Sequence, residues 1–200
     1  MHNNEKPPSD SKILSNPLAI ADQIGTGGGK SKLPPIHLWN PPFCGDIDME
    51  IRRNGDWFYQ GSRIQRPALV RLFSTVMRRE DDDAYYLVTP VEKVRIRVED
   101  APLFVVALEV LNEEGGQSLQ FTTSTNDVVI ASAEHPITVV HGDDGPVPYV
   151  HVRDRLTAMI SRPVYYELVA LGHEVAESGD AAQHTLNVTS AGVDFSLGKF

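Results

Sequence analysis

Arg66 and Arg162 are the residues whose type and setting most invite chemistry. Each stands directly before a proline, in Ile64-Gln-Arg-Pro67 and Ile160-Ser-Arg-Pro163, and each proline is placed to open a helix. A residue before proline is held extended, which sets a guanidinium beside the unpaired amides of the helix start. A planar fork and a partly positive helix end converge there, an arrangement that suits an anion. The same setting also suits scaffolding, with the arginine tied to a carboxylate such as Asp48. Lys93, Arg95 and Arg97 make a second cationic group. They share one face of a strand whose other face is Val94, Ile96 and Val98. That stripe fits a polyphosphate, and it equally fits a solvated face balanced by Glu92 and Glu99.

The segment Leu38-Trp-Asn-Pro-Pro-Phe-Cys-Gly-Asp-Ile-Asp48 concentrates committed residues. Asp46 and Asp48 fall on one face of a strand, roughly 6.6 Å apart at strand rise. Paired carboxylates hold hard cations or do acid–base work, which defines one enzyme reading, a metal-dependent hydrolase. They also neutralise nearby arginines. Trp39 lies close in sequence to this pair, and Trp39, Trp57 and Tyr59 would form an aromatic patch if a protein partner were the target. His135, His141 and His151 show no metal-ligand spacing, so no transition metal and no cofactor is expected. Cys44 reads as a small buried hydrophobe, and no nucleophile elbow is present. The run Gly25-Thr-Gly-Gly-Gly-Lys-Ser-Lys32 imitates a phosphate loop, but Ile24 stands where its first glycine belongs and no strand precedes it. It reads as a flexible linker.

These residues sit in a chain of 200 residues with net charge −9. Such an acidic balance argues against non-specific duplex nucleic-acid binding. The cations are uneven: residues 101–200 hold four Lys and Arg against thirteen acids, so a local anion site belongs with the first half. No apolar run approaches the roughly 20 residues of a membrane span. A polar N-terminus and a single cysteine point to the cytoplasm.

Period-two alternation, turn signals and helical spacing give the elements. A short helix over Pro17 to Ile24 precedes the linker. Ile47, Met49 and Ile51 alternate with Asp48, Glu50 and Arg52 as a half-buried strand, turned by Asn54-Gly55 into a return strand at Trp57. A helix runs from Pro67 through Arg79, followed by strands at Tyr85 to Thr89 and Lys93 to Val98. Strands are expected at Leu103 to Leu111, Leu119 to Thr123 and Val128 to Ala131. A second hairpin, Ile137 to Val140 and Val147 to Val152, leads to a helix from Pro163 that ends between Gly172 and Gly179. Strands at Thr185 to Thr189 and Val193 to Leu197 close the chain.

The two Arg-Pro helix starts, each following a hairpin, align with Val88-Thr89 against Val188-Thr189 and with Val94, Ile96 and Val98 against Val193, Phe195 and Leu197. Shared order implies an internal duplication. The expected fold is α+β, two related units with antiparallel sheets and one main helix each. Residues 1–35 form a helix and linker, 36–101 the first unit, and 102–200 the second with extra strands.

The segment from Leu38 to Asp48, Arg66-Pro-Ala-Leu-Val-Arg-Leu-Phe-Ser74, and Leu87-Val-Thr-Pro-Val-Glu-Lys-Val-Arg-Ile-Arg-Val-Glu-Asp-Ala-Pro102 resemble a bacterial family known as domain of unknown function 1285. The resemblance spans roughly Pro35 to Phe200 and is strongest in the first half. It implies a duplicated core, a C-terminal half like a pleckstrin-homology fold, and a nucleotide-like ligand at the domain interface in a signalling role. It carries over no catalytic residue. The expected function is a non-enzymatic regulatory protein holding a small anionic ligand between its units, through Arg66 and Arg162 with Trp39, Asp46, Asp48, Lys93, Arg95 and Arg97 nearby. The hydrolase and the protein-interaction module are its alternatives.

Overall fold

The computed structural model describes residues 33–113, 116–143, 145–176 and 184–199. The helix expected over Pro17 to Ile24 and the linker up to Lys32 lie outside them. After one 3-10 turn at Ile36–Leu38 come β1 (Phe43–Ile51), β2 (Trp57–Tyr59), β3 (Ser62–Arg63), α1 (Pro67–Thr75), β4 (Met77–Arg79), β5 (Tyr85–Val88) and β6 (Lys93–Val98). They form a sheet ordered β3-β2-β1-β6-β5-β4. The chain continues with β7 (Leu103–Glu113), β8 (Gly116–Thr123), β9 (Val128–Ile130), β10 (Ile137–Gly142), β11 (Gly145–Arg153) and β12 (Leu156–Ile160). This second sheet runs β10-β11-β12-β7-β8-β9. Then α2 (Arg162–Ala170) leads to β13 (His173–Ala176), β14 (His184–Ser190) and β15 (Val193–Lys199), a three-stranded sheet. The described chain is mostly sheet, with two helices.

Contacts divide it into two compact units. One holds the described residues up to Met49 with Tyr59–Arg97, and the other Glu50–Phe58 with Val98 onward. The tip of the β1–β2 hairpin thus belongs to the second unit. Its turn is built as the sequence predicts: Gly55 N–H donates to Arg52 O at 2.8 Å, and Asp56 N–H to the Asn54 side chain at 3.0 Å.

In the first unit, alternation on β1 and β6 sends Met49, Val94 and Ile96 inward, to a core that also buries Phe73, Val76, Met77 and Leu87. The α1 helix begins at Pro67, but it ends at Thr75 rather than Arg79. The Ser74 and Thr75 hydroxyls donate back to the Arg71 and Leu72 carbonyls at 2.7 Å, a pattern that competes with helix continuation. Met77 to Arg79 then find new backbone partners, pairing antiparallel with Leu87 to Tyr85.

In the second unit α2 lays Val164 and Leu168, both buried, against β7 and β14. Tyr165 Oη donates to Leu197 O at 3.0 Å and pins the helix to β15. Ser190, fully buried, accepts from Leu119 N–H at 2.8 Å and donates to Ala131 O at 2.7 Å, so one hydroxyl ties β14 to β8 and to the residue after β9. Two expectations fail here. The sheet is not wholly antiparallel, because β12 pairs parallel to β7, Ala158 opposite Leu103. The second helix does not reach the interval between Gly172 and Gly179: it ends at Ala170, and His173–Ala176 is a strand paired with β14. Neither β12 nor β13 is anticipated by the sequence pattern.

Candidate functional site

The residues marked by their charge come together in pairs. Arg95 forks onto Asp46, with Nε and Nη2 at 2.9 and 2.8 Å from its two oxygens. Arg97 Nη2 meets Asp48 at 2.9 Å. The two pairs advance in the same direction along neighbouring strands β1 and β6 and stand largely in solvent. Hydrogen bonding from Arg95 holds the Asp46 carboxyl below its usual range, against slight desolvation. Lys93 Nζ bonds Glu80 at 2.7 Å and lies 4.8 Å from the Tyr86 ring centroid. Glu80 is also held by Arg78, whose Nη1 donates to the Ile36 and Trp39 carbonyls at 3.1 and 2.9 Å. Burial opposes the Glu80 charge, yet the Lys93 and Arg78 bonds outweigh it and lower its pKa. The stripe is therefore paired with Asp46, Asp48 and Glu80. A cation at Asp46 and Asp48 would have to displace two guanidinium groups.

Arg66 is extended at the start of α1, φ −93° and ψ 104°, and exposed. Its side chain has no bonded partner among the described residues, so Asp48 does not brace it. Other sequence readings change. Trp57 is 2% exposed, packed inward by the alternation of its strand, so Trp39, Trp57 and Tyr59 do not make one aromatic patch. Cys44 is exposed rather than buried, its Sγ 3.4 Å from Pro42 O. His135 and His151 stack at 5.4 Å, but His141 is not part of that stack.

The concave site lies within the second unit. A cleft of about 550 Å³ is lined by Arg53, Asn54, Phe104, Pro146, Val147, Pro148, Met159, Ile160, Ser161 and Arg162. Arg162 is the first residue of α2, with Ser161 extended before it at φ −62°, ψ 152°. Here the proline rule is displaced by one residue: Arg162 is already helical and Ser161 takes the extended place. No side chain caps this helix start, and Ser161 N–H donates to Val105 O at 3.2 Å. Arg162 is exposed and has no side-chain partner among the described residues. Of the eight residues expected to bind a ligand, Arg162 alone lines the cleft.

The hairpin tip, through Arg53 and Asn54, is also part of the lining. Arg53 donates its backbone N–H to Glu99 at 2.8 Å, and its side chain forms an ion pair with Asp100, Nε 3.2 Å from the carboxylate. The other oxygen of Asp100 accepts from Tyr149 Oη at 2.7 Å. Burial first, and Asp100 second, push the Tyr149 hydroxyl up to about 12. Gly55, at φ +82°, sits where a Cβ would come within 2.7 Å of Phe104 Cβ, so glycine lets the tip lie against the cleft's aromatic wall.

Arg53, Phe104 and the Pro146-Val-Pro148 wall escaped sequence reasoning. Asn54-Gly55 was legible as a turn, but nothing local shows that it meets Phe104, 49 residues on.

Comparison with known proteins gives a consistent outcome. The model for "Domain of unknown function (DUF1285), N-terminal domain" matches residues 34–101, and that for "Protein of unknown function (DUF1285), C-terminal domain" matches residues 102–197. A crystal structure of a DUF1285 family protein from Silicibacter pomeroyi DSS-3 is 47% identical, covering 91% of this chain and 94% of its own, with a TM-score of 0.77. One from Shewanella baltica OS155 is 31% identical, covering 62% of this chain and 91% of its own, with a TM-score of 0.50. No curated protein matches the chain.

Proposed function

We propose, from the premise that this chain belongs to the DUF1285 family, that it is a non-enzymatic regulatory protein whose second unit binds a small anionic molecule. The observation that carries this reading is Arg162: a guanidinium with no partner among the described residues, at the first turn of α2, on the wall of a cleft of about 550 Å³. Clefts of this size with few polar groups are the usual form of small-molecule sites. An arginine at an uncapped helix start adds charge-assisted hydrogen bonding to the partial charge of the free amides. Nucleotide-like ligands belong to the anion class considered, as the family resemblance implies. The cytoplasm is the proposed setting. No described helix is long and apolar enough to cross a membrane.

Two finer readings of the fold accompany it. We read Phe43–Val98 and Ile137–Lys199 as diverged copies of one unit. In support, each runs three strands, a helix and three strands. The first sheet is ordered β3-β2-β1-β6-β5-β4; in the second segment β12-β11-β10 and β15-β14-β13 follow the same sequence, with β10 lying against β15. The pleckstrin-homology-like character of the C-terminal half rests on the family resemblance, and a backbone superposition tests it.

Thermal unfolding tests the ligand reading. Inorganic phosphate, carboxylates and a nucleotide panel, each with and without divalent metal, should include compounds that raise Tm by mass action, and Arg162→Gln should lose that rise. If no compound moves Tm, or if the shift survives Arg162→Gln, the reading is wrong. A shift that appears only with metal would favour a hydrolase instead.

A further inference from the structure

The cleft combines a largely apolar wall with a few polar residues, and their proportions restrict what it takes. Phe104, Pro146, Val147, Pro148, Met159 and Ile160 supply most of its wall. Of its polar residues, Arg162 and the neighbouring Ser161 are not bonded through their side chains to any described residue. The other polar wall groups are already committed. Arg53 is paired with Asp100 at 3.2 Å, and its backbone N–H is spent on Glu99. The Asn54 amide gives its N–H to Asp56 at 3.0 Å, and its oxygen accepts from Asp56 N–H at 3.0 Å.

From this balance of charge and apolar wall, and resting on the ligand reading above, we infer that the ligand is an amphipathic monoanion: an apolar body with a single terminal carboxylate, sulfonate or phosphate ester. The head group meets the guanidinium of Arg162, and the body lies along Phe104, Val147 and Met159. Polyphosphates are disfavoured. Desolvating several negative charges requires several matching cations, and among the described residues this cleft offers one uncommitted cation, with Glu99 and Asp100 holding Arg53 at its rim. A net charge of −9 adds long-range repulsion for a polyanion.

Isothermal titration of the full chain with octanoate, decanoate and dodecanoate, and separately with tripolyphosphate and a nucleoside triphosphate, tests the inference. The alkyl carboxylates should bind, with affinity rising by up to about fourfold per added methylene as the body enters the apolar wall. Arg162→Gln should weaken decanoate at least tenfold while circular dichroism and Tm of the free protein stay unchanged, and the polyphosphates should bind at least tenfold more weakly than decanoate. Tighter polyphosphate binding that Arg162→Gln abolishes would overturn the amphipathic ligand and leave the anion-binding reading standing. Decanoate binding indifferent to Arg162→Gln would place the alkyl chain elsewhere and overturn the inference. Silence from every probe would remove both the inference and the reading beneath it.

Discussion

Tyr149 donates its hydroxyl to Asp100 at 2.7 Å while that carboxylate's second oxygen takes the Arg53 side chain at 3.2 Å. One acid thus fixes a strand of the second unit and the hairpin tip that rims its cleft. The bond has a pH signature. The folded phenol titrates at about 12, against 10 for an unperturbed tyrosine. Between those values the unfolded chain has lost this proton and the folded one has kept it, so stability is whole below pH 10 and falls as pH rises toward 12. Tyr149→Phe should lower stability at neutral pH by about 1 kcal/mol and show a shallower alkaline decline than the parent. Urea midpoints at pH 8, 10 and 11 check both; equal slopes for the two proteins would refute the assignment.

Glu80 should behave in the opposite sense. Its pKa is lowered from 4.5, so its contribution is present above that value and declines as pH falls through the lower folded value. Glu80→Gln, which loses charge-assisted bonds from Lys93 and Arg78, should cost about 1–3 kcal/mol at pH 7 and less at pH 3. Acid unfolding curves of the two proteins should converge.

A pair of glycines separates backbone strain from crowding. Gly55→Ala and Gly61→Ala both place a Cβ at positive φ, +82° and +73°, which costs roughly 1–2 kcal/mol. Only Gly55 also faces Phe104, and overpacking adds about 1–3 kcal/mol. Chemical denaturation should therefore rank Gly55→Ala well below Gly61→Ala. Equal losses would mean that the tip does not press on the aromatic wall.

Ser190→Ala should destabilise the second unit by about 1–3 kcal/mol. It leaves the Leu119 N–H and the Ala131 carbonyl without the hydroxyl that serves both. Hydrogen exchange at Leu119 should accelerate more than the global change requires; unchanged exchange there would contradict the bridge.

Local signals in the sequence carried part of this molecule. Alternation placed Met49, Val94 and Ile96 inward because side-chain direction in a strand is set by its own pleat. Pro67 and Pro163 marked both helix starts because proline's fixed φ and missing N–H suit the first turn of a helix. Partners were a different matter. Asp46 meets Arg95 across 49 positions because β1 and β6 are adjacent in the sheet, a fact no window of sequence contains. Met77 to Arg79 continue a helical spacing, yet pairing with β5 claims their backbone. Likewise Arg162 was visible as a candidate, but the cleft beside it is made by Phe104 and by a hairpin tip drawn from a distant segment.

Cys44 has a practical consequence. It is the chain's single cysteine, and it is exposed on β1. A maleimide dye should therefore attach once per molecule, giving a uniform fluorescent conjugate without mutagenesis. Nothing within the chain can pair with this thiol, so any oxidation to a disulfide must join two molecules. Concentrated samples kept without reductant should accumulate a covalent species of twice the mass, and Cys44→Ser would remove it.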